Sequence, residues 1–273
     1  MSIPNQFTQE PKSYEDLKPI LEKIEEKAPS ISDKDFPSFQ YPNKEYQKIP
    51  LSKEGKVFLI GYGSLMAQCA LDINGKETIS EENSVIHPVF CFGAKRVYNY
   101  AERRDKILKE RVKYSRESDA EVGKLNLIPS STKGSFVNAV GRYVDLKDVE
   151  EAIKREIGYD LVPITFVDWN AVLQYGTNAQ FGVGYAFVAS TEKRQSAFNS
   201  EEMTHYTNDT ILPMRYYEDY VNDAAKKTGK LFVEMYNETT YLADRKTLIS
   251  KWDRSNPKDP DVIRYETSRQ NSK

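Results

Sequence analysis

The chain has 273 residues, a formal net charge of −2 and 29% charged residues. Because it has no overall basic field, neither nucleic acid nor an anionic membrane surface is expected as a partner. No apolar run is long enough for a transmembrane helix. The first residues show no basic start followed by an apolar core, so no signal peptide is expected.

The cysteines and histidines are few and far apart. Cys69 and Cys91 make no disulfide framework, which favours a reducing compartment, the cytoplasm, although the sequence leaves a single bridge between them open. His87 and His205 lack any neighbouring metal-ligand spacing, so neither a metal site nor a Cys–His nucleophile pair is expected. Any chemistry must then come from carboxylates, hydroxyls and backbone.

Residues 1–50 are predicted to form an arm. Leu17, Leu21 and Ile24 recur at helical spacing, with Ser13 or Asp16 as the cap, and the helix is predicted to begin at Pro19, since proline favours a first turn. Residues 29–50 carry scattered prolines and aromatics, which predicts an extended connector packed on the surface.

The apolar run 56–61 predicts a buried strand that stops at Gly61-Tyr62-Gly63-Ser64. Two glycines allow positive φ angles and a close approach of backbone to a ligand. Successive N–H groups of such a turn can converge on an anion such as a carboxylate or a phosphate. Similar turns join strands in many proteins without any ligand, so both interpretations stay open at this point.

The remaining pattern is strand-rich up to residue 190 and helical after residue 200. Strands are predicted at residues 87–100 with a bend at Gly93, and at 124–128, 136–144, 161–169, 171–175 and 181–190. A balanced, charged and solvated excursion is predicted at 101–124, and helices at 216–227, 232–239 and 245–251. The pattern favours an α+β fold with a mixed β-sheet or small β-barrel of about six to seven strands and flanking helices.

One helix, predicted at 146–157 with Asp145 as N-cap and Gly158 after its end, carries an unusual carboxylate. Glu156 lies beside the apolar face in the last turn, where the helix dipole and burial both disfavour negative charge. Such a carboxyl suits a general base, unless Lys154 or Arg155 folds toward it. The alternative is an ordinary boundary glutamate whose head reaches water.

Several stretches, in order, resemble the γ-glutamylcyclotransferase-like family. They are Gly61-Tyr62-Gly63-Ser64-Leu65, residues 92–99, 125–129 and 137–141, Arg155-Glu156-Ile157-Gly158-Tyr159, and residues 211–229. The similarity spans residues 56–242. It implies a γ-glutamylcyclotransferase-like domain at 51–242. The arm at 1–50, and a predicted C-terminal helix with a polar tail at 243–273, are additions to it.

The resemblance implies an intramolecular reaction on a small γ-glutamyl substrate, in which the α-amine attacks the γ-carbonyl and 5-oxoproline forms. It requires no metal or other cofactor. Glu156 would be the catalytic acid and base. The residues implied for substrate binding are Tyr62, Gly63, Ser64, Leu65, through their backbone, and Tyr159.

The alternative class is a non-catalytic module that binds a γ-glutamyl group or another carboxylate with the same loop. A nucleotide-phosphate loop is disfavoured, because the segment lacks both the Gly-Lys-Ser/Thr ending and the Gly-x-Gly-x-x-Gly spacing. The charged excursion and the arm depart from the family pattern, so the identity of the amine that leaves the substrate stays open. The sequence does not indicate the oligomeric state.

Overall fold

The computed structural model describes residues 11–40, 45–67, 85–103, 121–156, 158–189, 205–207, 209 and 211–252. Its strands are β1 (Val57–Gly61), β2 (His87–Phe92), β3 (Ala94–Arg103), β4 (Glu121–Pro129), β5 (Phe136–Val144), β6 (Asp160–Asp168), β7 (Phe181–Val188), β8 (His205–Thr207) and β9 (Thr240–Leu242). Its α-helices are α1 (Tyr14–Glu25), α2 (Leu146–Arg155), α3 (Trp169–Tyr175), α4 (Arg215–Thr228) and α5 (Lys230–Thr239).

Five strands close into a small barrel in the order β1-β5-β2-β6-β7. The barrel is mixed, because β1 pairs antiparallel with β5 and parallel with β7. A second sheet has the order β4-β3-β8, and β9 runs parallel to β3. The predicted α+β fold with a small mixed barrel and flanking helices is therefore confirmed. The short strands β8 and β9 were not predicted.

The barrel is narrow, and aromatic rings that lie against glycines fill its interior. Phe58 on β1 and Phe166 on β6 stack with ring centroids 4.5 Å apart, although these strands are not neighbours, so the contact crosses the barrel. A Cβ at Gly141 would lie 1.9 Å from the Phe58 ring, and one at Gly182 would lie 2.7 Å from the Phe166 ring. Both glycines are thus required by close approach.

Replacing Gly141 with alanine is expected to overpack the barrel. Because the new methyl group would overlap the Phe58 ring, we expect the free energy of unfolding to fall by about 2 kcal/mol. Urea denaturation followed by circular dichroism measures the loss. The double variant Gly141→Ala/Phe58→Leu should recover part of it, and equal stability of Gly141→Ala and wild type would contradict this packing.

The predicted bend at Gly93 is confirmed, since this residue has φ +77° and separates β2 from β3. The predicted excursion at 101–124 is only partly correct. β3 runs on to Arg103 and β4 begins at Glu121, and these two residues pair across the ladder. Both ends of the predicted solvated segment are therefore strand, and residues 104–120 lie outside the described residues.

The predicted strand at 171–175 is wrong, because this segment belongs to helix α3. The Asp168 side chain accepts a hydrogen bond from the backbone N–H of Ala171 at 2.8 Å, which caps the helix. The ring of Trp169 stacks on Phe90 with centroids 4.4 Å apart and fixes the first turn against the barrel. A short apolar run does not distinguish a strand from a helix by periodicity alone.

The predicted start of the first helix at Pro19 is also wrong, since α1 begins at Tyr14. Ser13 and Asp16 form a capping box, in which the Ser13 hydroxyl accepts from the Asp16 N–H and the Asp16 carboxylate accepts from the Ser13 N–H. Pro19 lies inside the helix. The two caps that the sequence offered thus act together, and they outweigh the preference of proline for a first turn.

The predicted helix at 245–251 is wrong as well. The Asp244 carboxylate accepts from the backbone N–H groups of Lys246 and Thr247, both at 2.9 Å, and this pattern makes a turn. Arg245 adopts φ +60°, which a helix does not allow. Only Ile249–Lys251 forms a short 3₁₀ turn. The predicted helices at 216–227 and 232–239 are confirmed as α4 and α5.

The arm packs into the main core. Leu17, Leu21 and Ile24 of α1 are almost completely buried in the same cluster as the barrel residues. The Glu25 carboxylate accepts from the backbone N–H groups of Gly134 and Ser135 at 2.7 and 2.9 Å, which ties α1 to the β4–β5 connection. Within the part of the chain that the structure describes, no helix is long and apolar enough to cross a membrane.

Candidate active site

The loop after β1 turns back sharply on itself. The N–H of Met66 donates to the carbonyl of Gly63 at 2.9 Å, and Ser64–Met66 forms a 3₁₀ turn. Neither Gly61 nor Gly63 has the positive φ that the sequence suggested. A Cβ at Gly61 would instead lie 2.6 Å from the backbone of Leu65. The glycines are therefore needed for close approach and not for a left-handed conformation.

Glu156 follows the last residue of α2 and forms its C-cap, so the helix is shorter than predicted; Ile157 lies outside the described residues. Its N–H donates to the carbonyl of Ala152 at 2.8 Å, and Gly158 then takes φ +86° and turns the chain toward β6. The Glu156 side chain is 17% exposed. The carboxylate therefore lies at the boundary of the core, neither fully buried nor fully solvated.

Arg155 folds back onto this carboxylate. Its Nε and Nη2 atoms donate to Oε1 of Glu156 at 2.9 and 2.6 Å, and the Arg155 side chain is only 14% exposed. An opposite charge at this distance favours the ionised carboxylate. The contact opposes the effect of the helix dipole and of burial, both of which disfavour negative charge. The sequence had left this possibility open for Lys154 or Arg155. The Glu156 carboxylate thus has a charged partner at the edge of the core.

Tyr217 is the site residue that the sequence did not single out. It lies in the first turn of α4, and its hydroxyl oxygen accepts a hydrogen bond from the Ser64 N–H at 3.3 Å. A Cβ at Gly63 would lie 2.5 Å from the same oxygen. Burial, and then the charge of Glu156, raises the Tyr217 pKa, so the phenol stays protonated. Its oxygen therefore occupies the position that the Ser64 N–H faces.

Tyr62 and Tyr159 direct their hydroxyl groups to backbone carbonyls. The Tyr62 hydroxyl donates to the carbonyl of Phe187, and the Tyr159 hydroxyl donates to that of Leu125 at 3.1 Å. Burial is the main cause that raises both pKa values well above the usual range. Since a phenol has one hydrogen, the proton of Tyr159 is not shared with Glu156.

A small cavity brings all six predicted site residues together. It is lined by the loop residues Gly61, Tyr62, Gly63, Ser64 and Leu65, and by Ile60, Leu125, Glu156, Tyr159, Phe187 and Tyr217. Its volume is about 20 Å³, which is room for about one water molecule. The loop and the carboxylate, about ninety residues apart along the chain, thus face the same space.

A much larger cavity, of about 830 Å³, lies between the arm, strands β2, β6 and β7, and the β4–β5 connection. Pro29 and Ser30 of the connector line it together with Phe92, Ile164 and Val188. None of the six predicted site residues borders this cavity. The large cavity also has a carboxylate beside a loop, but Glu25 there already accepts from the N–H groups of Gly134 and Ser135. The small cavity is the place where the loop at 61–65 and Glu156 meet, and it is therefore the candidate site.

Cys91 lies in the core and not at either cavity. It is a free thiol, and burial raises its pKa to about 12. Only the thiolate is nucleophilic, so this cysteine is unsuited to covalent catalysis. Cys69 lies outside the described residues.

Comparison with known proteins gives structural likeness only. No protein-family model and no curated protein matches the sequence. An uncharacterized human protein, loc79017, is 12% identical with a TM-score of 0.43, over 77% of this chain and 98% of its own. A yeast γ-glutamyl cyclotransferase specific to glutathione is 11% identical with a TM-score of 0.38, over 67% and 97%. The Arabidopsis thaliana protein At5g39720.1 is 12% identical with a TM-score of 0.32, over 54% and 84%. Similarity at this level does not place the chain in a family.

Proposed function

We propose that the protein is a γ-glutamyl cyclotransferase. The observation that carries the proposal is the small cavity in which the loop at 61–65 faces Glu156. In the proposed reaction the α-amine of a γ-glutamyl group attacks its own γ-carbonyl. A new C–N bond closes the five-membered ring, the old amide C–N bond breaks, and 5-oxoproline and a free amine leave.

Glu156 moves the proton in this proposal. Its carboxylate takes a proton from the substrate ammonium group, since only the free amine can attack, and gives it to the leaving nitrogen as the old amide bond breaks. The attacking nitrogen loses a second proton when the ring amide forms, and this proton ends on the released amine, which leaves as an ammonium ion. Proton uptake and release balance, so the carboxylate is regenerated. The contact with Arg155 supports the first step, because it fixes the position of the carboxylate that lines the cavity.

The loop binds the α-carboxylate of the substrate through backbone N–H groups. The Ser64 N–H is aimed into the cavity and already meets an oxygen atom, the hydroxyl of Tyr217. A carboxylate oxygen would replace this hydroxyl and make a stronger, charge-assisted hydrogen bond. The held carboxylate would then fix the glutamyl chain with its amine toward Glu156, where orientation contributes several kcal/mol.

Binding requires Tyr217 to move. A γ-glutamyl group is several times larger than one water molecule, and the cavity has a volume of about 20 Å³. The Tyr217 side chain is the group that touches the loop from α4. Its displacement would enlarge the cavity and release the Ser64 N–H at the same time.

The second candidate is a binding module without turnover. The Arg155–Glu156 pair favours it, because in such a protein Glu156 would serve only to neutralise Arg155. Such a protein would take up a γ-glutamyl or other carboxylate ligand and release it unchanged. Turnover is the property that separates the two candidates.

The test is incubation with glutathione, γ-glutamyl-alanine, γ-glutamyl-ε-lysine and a γ-glutamyl polyamine, each assayed for 5-oxoproline by mass spectrometry. We expect 5-oxoproline from at least one compound, in a reducing buffer that matches the expected cytoplasmic setting. The matched control is the α-glutamyl isomer of the same compound, because its amide bond lies at the α-carboxyl group and ring closure at the γ-carbon would not release free 5-oxoproline. Ligand-dependent thermal stabilisation without product would favour the binding module.

A further inference from the structure

Two buried arginines lie behind the loop, on the side away from the cavity. Arg142 on β5 is 1% exposed, and Arg96 on β3 is 0% exposed. Arginine is rarely buried to this extent without a specific set of acceptors. Neither side chain lines the cavity at Glu156, so both act on the site only through what they contact.

Arg142 holds the carbonyls at the end of the loop. Its Nη1 atom donates to the carbonyl oxygen of Leu65, and its Nη2 atom donates to those of Met66, at 3.3 Å, and Ala67. Three successive carbonyls therefore point at one guanidinium group. The fork of arginine suits this arrangement, because it presents several N–H donors in one plane.

Arg96 holds the carbonyl at the start of the loop. Its Nη1 atom lies 3.5 Å from the carbonyl oxygen of Tyr62 and 2.7 Å from that of Asn138. Nη2 donates to the Asn138 side-chain oxygen at 2.8 Å, and the guanidinium lies 4.3 Å from the Tyr236 ring centroid. Desolvation lowers the Arg96 pKa to about 10, so the group is still a cation at neutral pH.

Each carbonyl that accepts from an arginine belongs to a peptide unit whose N–H points the other way. A series of linked hydrogen bonds starts at Arg142. Arg142 donates to the Leu65 carbonyl, and the N–H of the same peptide, that of Met66, donates to Gly63 O at 2.9 Å. The series continues through the Gly63–Ser64 peptide to the Ser64 N–H in the cavity. From Arg96 it is shorter, because the Tyr62 carbonyl and the Gly63 N–H share one peptide. Hydrogen bonds in such chains polarise one another.

We infer that Arg142 and Arg96 are positioning residues that make the loop bind an anion. They orient and polarise the Gly63–Ser64 peptide, whose N–H meets Tyr217 in the cavity, and the Tyr62–Gly63 peptide before it. The inference rests on the proposed function for the identity of the anion, the α-carboxylate of a γ-glutamyl compound. Among the residues that line the cavity there is no lysine or arginine, and there is a glutamate. Arg155 is already paired with this glutamate. Attraction for a carboxylate is therefore expected from the peptides and from the two arginines behind them.

The test compares the dissociation constants of two ligands that differ only in the charge of the α-carboxyl group. A γ-glutamyl compound and its α-carboxamide analogue are titrated calorimetrically into the protein in the Glu156→Gln background, where the compound is not consumed. The wild-type loop should prefer the carboxylate. In Arg142→Gln, which keeps two neutral donors, we expect the Kd ratio of carboxamide to carboxylate to fall by about tenfold, as for loss of a hydrogen bond to a charged group. Arg142→Lys, which keeps the charge, should retain more of the preference.

A purely structural role for Arg142 predicts a different result. Loss of loop structure would weaken both ligands equally and leave the ratio unchanged, and that outcome overturns the inference. Arg245→Met is the matched control, since Arg245 pairs with Asp209 on the surface and its side chain is 44% exposed; its ratio should equal that of wild type. Circular dichroism shows whether each variant folds. If Arg142→Gln does not fold, Arg142→Lys decides the question: a Kd ratio below that of wild type supports the inference, and a ratio equal to that of wild type overturns it.

The same titration separates this inference from the proposed function. If no compound yields 5-oxoproline but the carboxylate still binds, and the Kd ratio falls in Arg142→Gln, the cyclotransferase proposal fails and the role of the arginines stands. If 5-oxoproline forms and the Kd ratio is the same in every variant, the cyclotransferase proposal stands and the role of the arginines fails. No measurable preference for the carboxylate in the wild-type loop overturns the inference directly.

Discussion

Glu156→Gln is expected to leave the fold intact and to reduce 5-oxoproline release by about a thousandfold, within the range for loss of a general acid–base. Glutamine has nearly the same shape, and its amide oxygen can still accept from Arg155, which now donates to Oε1 of Glu156. It cannot take a proton from the substrate ammonium group at neutral pH. The loss should therefore appear in kcat more than in KM, measured in steady state on the best compound of the panel.

Glu151→Gln provides the matched control on the same helix. Glu151 is exposed, pairs with Lys154 at 2.6 Å and does not line the cavity. We expect its kcat and KM to equal those of wild type. Turnover that survives in Glu156→Gln at a rate similar to that of Glu151→Gln would remove Glu156 from the proposed mechanism.

Gly63→Ala is expected to lower kcat/KM by about a hundredfold, since misplacement of about 1 Å at a site can have an effect of this size. The added methyl group would meet the Tyr217 hydroxyl at 2.5 Å and would point into a cavity of only about 20 Å³. Either the loop shifts, which misaligns the Ser64 N–H, or Tyr217 is displaced and the methyl group takes the space of the ligand. Steady-state kinetics and thermal denaturation measure the two effects separately.

Two further variants show whether backbone or side chain matters at this loop. Ser64→Ala keeps the N–H that meets Tyr217, so we expect it to retain most of the wild-type kcat/KM. Gly63→Ala/Tyr217→Phe removes the oxygen that the methyl group would strike, so thermal stability should return while kcat/KM stays low. Wild-type kinetics in Gly63→Ala would show that the ligand does not bind against this face of the loop.

The strands of the barrel were predictable because their signal is local. The apolar run that ends at Gly61 and the run interrupted by Gly93 both contain the residues that build and end a strand. The failures are also local. At 171–175 the Asp168 side chain caps and stabilises a helix, and after residue 244 the Asp244 carboxylate stabilises a turn. In each case the carboxylate of one aspartate, through its hydrogen bonds to backbone N–H groups, outweighs the short sequence pattern.

The candidate site was predictable only in part, because half of it depends on long-range packing. Helical phase placed Glu156 at the edge of the buried face of α2, and the glycines marked the loop. Nothing near Tyr217 in the sequence indicates a partner 153 residues away at Ser64. Arg96 and Arg142 resemble ordinary strand residues in the sequence. Their burial becomes visible only when the loop carbonyls that they hold are in place.

The arm at the N-terminus has a consequence for how shortened forms of the protein should be interpreted. Leu17, Leu21 and Ile24 belong to the shared core, and Glu25 holds two N–H groups of the β4–β5 connection. A form that begins after residue 28 would lack these contacts and expose apolar barrel surface. Low abundance or lost activity of such a form would then be a folding phenotype, and it would carry no information about whether the arm takes part in the chemistry.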